Sequence, residues 1–234
     1  MKKLLLPFLL LLSINIFGQE FNKIQIAATF SPDYDYRTLK STGKQDETGH
    51  TSNEMVDFLN DKDIGKFGFT TGVSAIYNFS KLFGIEIGVQ YSDKGYQAKW
   101  REIELMEPNL VLYKYKNISK YEYIDVPLKT NFTFGKNKLR YIATVGIAAN
   151  FLIEAKAISD NETKKHTQIT TSHYNKFNIS PIIGAGIEYR ISNKISLKAI
   201  PNFKYGLIKM YDTPYQSERL WNAGIDIGIY YGIK

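Results

Sequence analysis

Three histidines, His50, His166 and His173, are the residues of this chain best suited to acid–base or metal chemistry, and the chain has no cysteine. A histidine beside a serine and an orienting acid would suit ester chemistry on a lipid, because the imidazole takes the hydroxyl proton while the acid fixes the ring. Ser172 adjoins His173, yet neighbouring residues on an extended chain point apart, so the pair makes no dyad by itself. His166 and His173 share a Thr- and Lys-rich stretch, where a metal would need Asp160 or Glu162 as a further ligand. The glycines sit at strand spacing, and none opens a helix as a phosphate-binding loop does. The residues therefore point to no catalytic, metal or cofactor site. What stands out is a set of charges set among glycines and apolar residues: Glu86, Lys94, Asp125, Lys129, Glu188, Arg190, Lys198 and Asp226. Enclosed charges must pair, so these are expected to form an ion network inside a wall.

The elements that hold these charges follow a period of two. Phe83, Ile85, Ile87, Val89 and Tyr91 alternate with Gly84, Glu86, Gly88 and Gln90. Ala223, Ile225, Ile227, Ile229, Tyr231 and Ile233 alternate with Asn222, Gly224, Asp226, Gly228 and Gly232. A helix needs spacings of three and four, so these are strands with one apolar and one polar face. Eight strands are expected, at about 21–31, 67–79, 83–101, 110–134, 138–155, 176–191, 195–208 and 220–233. Tight turns at Ser80-Lys81-Leu82, Gly135-Lys136-Asn137 and Ser192-Asn193-Lys194 alternate with long polar loops at 32–66, 156–175 and 209–219, and with a tall hairpin turning at Glu107-Pro108-Asn109. Short turns on one side and long loops on the other are the signature of a bacterial outer-membrane barrel.

Composition supports that class. The chain has 234 residues, 44% hydrophobic and 23% charged, with 17 tyrosines and 14 phenylalanines. A mean hydropathy of −0.27 is too low for a helical membrane protein. The aromatic content is too high for disorder. The formal charge of +7 is spread along the chain without a basic stripe, so nucleic acid is not an expected partner. Residues 1–18 read as a secretory signal, with Lys2 and Lys3 ahead of an apolar run from Leu4 to Phe17, cleaved before Gln19. Residues 19–234 then form one barrel domain. Aromatic girdles are expected at Tyr77, Phe79, Phe83, Phe132, Phe134, Tyr141 and Tyr189 near the turns. At the loop end they are expected at Tyr91, Tyr123, Phe151, Phe177, Tyr205 and Trp221. The polar face is expected to carry Glu154, Lys204 and the charges named above. Gly95 is expected at a bulge, and Pro127 at a bulge or an interrupted ladder hydrogen bond. In the first long loop, Met55, Phe58 and Leu59 suggest a local apolar cluster, with a single amphipathic turn as the alternative.

Four segments resemble the PorT-like outer-membrane barrel family of Bacteroidetes. Tyr91-Ser92-Asp93-Lys94-Gly95 is similar to its Tyr-Ser-x-Lys-Gly, and Tyr123-Ile124-Asp125-Val126-Pro127-Leu128 to its Tyr-Leu-Glu-Ile-Pro. Gly184-Ala185-Gly186-Ile187-Glu188-Tyr189 and Tyr205-Gly206-Leu207 match later glycine-aromatic elements. The C-terminus departs from the aromatic ending of such barrels, closing on Ile233 and Lys234. The resemblance implies export to the outer membrane and recognition by the barrel assembly machinery. It also implies a link to type IX protein secretion, a role of one family member.

The expected fold is an eight-stranded, antiparallel, up-and-down transmembrane β-barrel with short periplasmic turns and long outer loops. Side chains about fill a lumen of this size, so free diffusion through it is not expected. The expected role is structural or interactive and non-enzymatic, with no cofactor. Expected partners are outer-membrane lipid and lipopolysaccharide, whose phosphates could meet Lys40, Lys44, Lys62, Lys164 and Lys165, and proteins that meet the loops or turns. The alternatives are a narrow conduit or ligand-binding barrel, and a lipid-modifying enzyme.

Overall fold

The computed structural model describes residues 22–44, 51–105, 111–161 and 164–233. The expected signal peptide, the turn at Glu107-Pro108-Asn109, His50 and Glu162 lie outside them.

Eight strands close a ring: β1 (Ile24–Ser41), β2 (Asp63–Asn78), β3 (Phe83–Ala98), β5 (Val111–Phe134), β6 (Leu139–Asn161), β8 (Phe177–Arg190), β9 (Ile195–Tyr205) and β11 (Gln216–Gly232). Each pairs antiparallel with the next, and β11 returns to β1 from Gln25↔Gly232 to Ser41↔Gln216. Closure removes the free edges that an open sheet would present. Among the described residues no helix is long and apolar enough to cross a membrane. The crossing is made by strands.

Tight turns sit where the polar triplets do. In two of them the serine makes the bend: Ser80 Oγ accepts from the backbone of Leu82 and Phe83, and Ser192 Oγ from Lys194 and Ile195, at 3.1–3.2 Å. In the third, Gly135 takes φ +115°, a region open to glycine.

β1, β2, β6 and β11 outrun their expected ends on the loop side, while β3 and β9 stop short at Ala98 and Tyr205. β1 continues to Ser41 instead of stopping at 31, because Ser31, Asp33, Asp35 and Arg37 keep facing inward against Pro32, Tyr34 and Tyr36. The next loop shortens accordingly and contains helix α1 (Ser52–Lys62), started by a capping box between Thr51 and Glu54. This helix replaces the expected loop cluster; Val56 is its buried apolar residue, while Met55 and Phe58 are exposed. β5 and β6 rise above the ring and pair up to Lys116↔Asp160, where β4 (Arg101–Leu105) and β7 (Lys164–Ile169) extend them on either side. A two-residue strand, β10 (Tyr211–Asp212), pairs with β11.

Prolines interrupt ladders without breaking strands. The β3–β5 ladder skips from Ile87↔Leu128 to Gln90↔Asp125, at Pro127. Pro32 coincides with a similar gap between β1 and β11, and Pro201 with one between β8 and β9. Each proline lacks the N–H that the missing pair would need.

Candidate functional site

The ring places two faces in different surroundings. The outer face is apolar: Ile26, Phe30, Val73, Ile87, Val145, Ile183 and Ile227 are all exposed. Rings run edge to edge around the turn end, from Tyr77 to Phe79 at 4.9 Å, Phe79 to Phe83 at 5.4 Å and Phe83 to Phe132 at 5.6 Å. At the loop end Tyr34 meets Phe67 and Trp221, Trp221 meets Phe203, and Phe151 meets Phe177. Two aromatic rings bounding an apolar belt are the outer surface of a membrane barrel. Tyr123 is the exception to the expected upper girdle. It shares its face with Asp125 and is 2% exposed, inside the barrel.

Above the belt, an ion ladder crosses four strands. Lys66 meets Asp93 at 2.7 Å, Lys120 bridges Asp93 and Glu122 at 3.2 and 2.9 Å, and Lys156 meets Glu122 and Glu154 at 3.0 and 2.5 Å. Lys120 and then Lys156 hold the Glu122 carboxyl down at about 2. Glu154 belongs to this ladder because Ile153 is an extra residue on β6: Tyr123 pairs with Leu152, and Glu122 with Glu154. The expected place of Glu154 on the inner face is therefore corrected. Gly95, at φ +155°, lies at the expected irregularity: between Gly65↔Tyr96 and Phe69↔Asp93 three residues of β2 stand opposite Lys94 and Gly95, so the extra residue is on β2.

The lumen is filled in layers. Nearest the turns, Arg140 pairs with Glu188 at 2.6 Å, and the Lys198 ammonium lies 3.9 Å from the centre of the Tyr230 ring. Arg190 also lies at this end, close enough to repel Arg140. In the middle Lys129 bridges Glu86 at 2.7 Å and Asp226 at 3.4 Å, and Glu86 also accepts from Ser74 and Asn131. Higher up, Asp125 accepts from Lys94, Ser92 and Asn150 at 2.9, 2.5 and 2.7 Å. The eight sequence-selected charges thus fall into three separate groups, with Lys94–Asp125 distinct from Lys129–Glu86.

Further buried charges of the interior lay outside that set, among them Asp33, Asp35, Arg37, Arg140, Lys204 and Glu218. Asp33 accepts from Ser31 and Thr70 at 2.6 and 2.5 Å. The Asp35 carboxylate has no hydrogen-bond partner among the described residues. Arg37 pairs with Asp63, and Arg140 with Glu188. The alternation through Pro32 was the available signal for the first three.

The outer mouth is closed by a cluster of Tyr121, Tyr123, Leu152, Ala155, Met210 and Leu220, on which Tyr96, Tyr174 and Tyr211 pack. Strands β5, β6 and β11 supply most of this lid, and loop residues complete it: Tyr174 follows a one-turn helix at Thr171–His173, and Met210 precedes β10. At its edge Glu218 accepts from the Tyr96 hydroxyl at 3.1 Å and lies 3.8 Å from Arg37. Burial pushes the Glu218 carboxyl up to about 7, against the opposing pull of Arg37 and Tyr96. His166 and His173 stand outside the lid and are exposed. Among the described residues no His/Asp/Glu cluster could hold a metal.

A lipid-facing apolar belt, a filled polar lumen and a closed outer mouth define a small outer-membrane barrel. The chain belongs to the outer membrane protein beta-barrel domain family, whose model matches residues 17–212. Its location is the outer membrane. Among solved structures it is similar to Neisserial surface protein A, at 12% identity and a TM-score of 0.44 over 92% of this chain and 100% of that one. It is similar also to OprG from Pseudomonas aeruginosa, at 10% identity and a TM-score of 0.44 over 92% and 98%. Ail of Yersinia pestis aligns over 89% and 99%, at 11% identity and a TM-score of 0.33. No curated protein matches the chain.

Proposed function

We propose that this chain is a non-enzymatic membrane scaffold that acts through its two ends and not through its lumen. The observation that carries this reading is the outer lid of Tyr121, Tyr123, Met210 and Leu220 standing over two layers of paired charges. An ion moving along the axis would have to displace the lid and then break buried pairs, each of which leaves a charge uncompensated. The exported surface is the four-stranded extension β4–β5–β6–β7 together with helix α1, and protein partners would meet it there. Lipopolysaccharide would surround the ion ladder, and the barrel assembly machinery would insert the chain. The PorT-like motifs support a partner in type IX protein secretion. The test is twofold. In planar bilayers the purified barrel is expected to give no single-channel steps, and reproducible steps would overturn the scaffold reading in favour of a conduit. Deletion in the parent bacterium is expected to retain cargo proteins in the periplasm, and normal secretion would remove the type IX link.

A further inference from the structure

The turn end of the barrel is as unbalanced in charge as the outer ladder is balanced. Its turns carry Lys81, Lys136, Lys138 and Lys194 without an acid. Just inside, Arg140, Arg190 and Lys198 face the axis from β6, β8 and β9, and among the described residues Glu188 is the one carboxylate lining the cavity they share. Register brings them together: Glu188 pairs with Arg140 on one side and Lys198 on the other, and one level nearer the mouth Arg190 pairs with Ser196.

Glu188 is committed to Arg140 at 2.6 Å. Lys198 is held on the Tyr230 ring. The Arg190 guanidinium has no acceptor among the described residues, its backbone N–H alone donating, to the Lys138 carbonyl at 2.8 Å. Two further groups lining the cavity are buried without a protein partner among the described residues, Arg140 Nε and Ser196 Oγ, in residues 7% and 4% exposed. The cavity measures about 50 Å³. One water takes about 10–15 Å³ on that measure, so the space suits a tetrahedral group of four oxygens. Guanidinium N–H groups in a fixed fork, a hydroxyl donor and an excess of positive charge are what such an oxyanion requires.

We propose that this mouth, between Arg140, Arg190 and Ser196, is a binding site for a phosphate group. Its two sources are a free phosphate of the periplasm and a phospholipid headgroup of the inner leaflet. The site does not depend on the scaffold reading, which concerns the opposite end and the closed axis.

The probe is inorganic phosphate, titrated into the folded barrel in a neutral detergent at constant ionic strength and followed by calorimetry. Saturable binding at one site is expected. Arg190→Gln is expected to weaken it by roughly tenfold, the loss of a charge-assisted contact. Ser196→Ala, which removes an unpartnered hydroxyl and so leaves the fold intact, is expected to weaken it several-fold and serves where Arg190→Gln does not fold. Lys165→Gln, at the other end, is expected to change nothing. Absence of saturation at about 10 mM phosphate would overturn the site, as would equal losses in Arg190→Gln and Lys165→Gln, which would mean general surface charge. Native mass spectrometry from phosphatidylglycerol nanodiscs separates the sources. A retained lipid lost in Arg190→Gln assigns the headgroup, and phosphate binding without retained lipid assigns the free ion.

Discussion

Lys129 on β5 faces Glu86 across the β3–β5 ladder, 2.7 Å from Nζ to Oε1, while Asp226 reaches the same ammonium at 3.4 Å from β11, the strand opposite β5 in the ring. One cation thus ties two neighbouring strands to the far wall. Lys129→Met leaves both carboxylates buried without it and is expected to cost about 3–5 kcal/mol. Adding Glu86→Gln to Lys129→Met is expected to recover part of that loss. Urea unfolding in lipid vesicles measures both, and equal stability of Lys129→Met and the parent would refute the bridge.

Gly224 makes room for this kind of packing one level up. A methyl group there would collide with the Asp33 carboxylate and press on the Ser31 hydroxyl. Gly224→Ala is expected to destabilise by about 1–3 kcal/mol, the range for overpacking a filled interior. The further change Asp33→Ser is expected to relieve part of that cost in the same unfolding assay. A double variant less stable than Gly224→Ala would place the clash elsewhere.

Glu218 predicts the pH response of the outer lid. Its folded pKa, about 7, lies above the ordinary 4.5, so the fold favours the protonated acid. The contribution is complete below the unfolded pKa and is lost as pH rises from about 4.5 to about 7. Glu218→Gln is expected to flatten the melting-temperature profile across that window and to raise the melting temperature at pH 8. A profile unchanged by the substitution would show that Arg37 keeps Glu218 charged throughout.

Trp221 and Trp100 are the two tryptophans of the chain. Trp221 packs among Tyr34, Tyr36 and Phe203 in the upper girdle, and Trp100 lies beyond β3, near Lys116. With Trp100→Phe in place, brominated phospholipids are expected to quench Trp221 most strongly when the bromines sit near the headgroups. Quenching greatest at the bilayer centre, or none, would displace the girdle.

The barrel was legible because a transmembrane strand repeats every two residues, and that repeat survives in the sequence without an alignment. The charges inside were legible only as strand positions. Which partner each takes depends on register across the ring, and spacing along one strand carries no record of it. Lys94 and Lys129 therefore read as members of one network, although they serve separate carboxylates. The end of β1 was misplaced at 31: Pro32, expected to begin a loop, lies inside a strand that goes unpaired with β11 at Ser31 and Pro32 and then continues. The inward aspect of Tyr123 followed from its even spacing to Asp125, a stronger signal than its aromatic character. Loop residues such as Tyr174 and Met210 reach the lid from outside any periodic segment, so no pattern announced them.

The seam between β1 and β11 joins Gln25 to Gly232. The first strand made is thus the partner of the last, and the largest loop-closure entropy of the whole chain falls on a single ladder. Until β11 docks, β1 and β9 each keep an open hydrogen-bonding edge, and Lys129 lacks Asp226. Assembly is for that reason close to all-or-none, and whatever delivers the final seventeen-residue strand governs whether the other seven become a membrane protein at all.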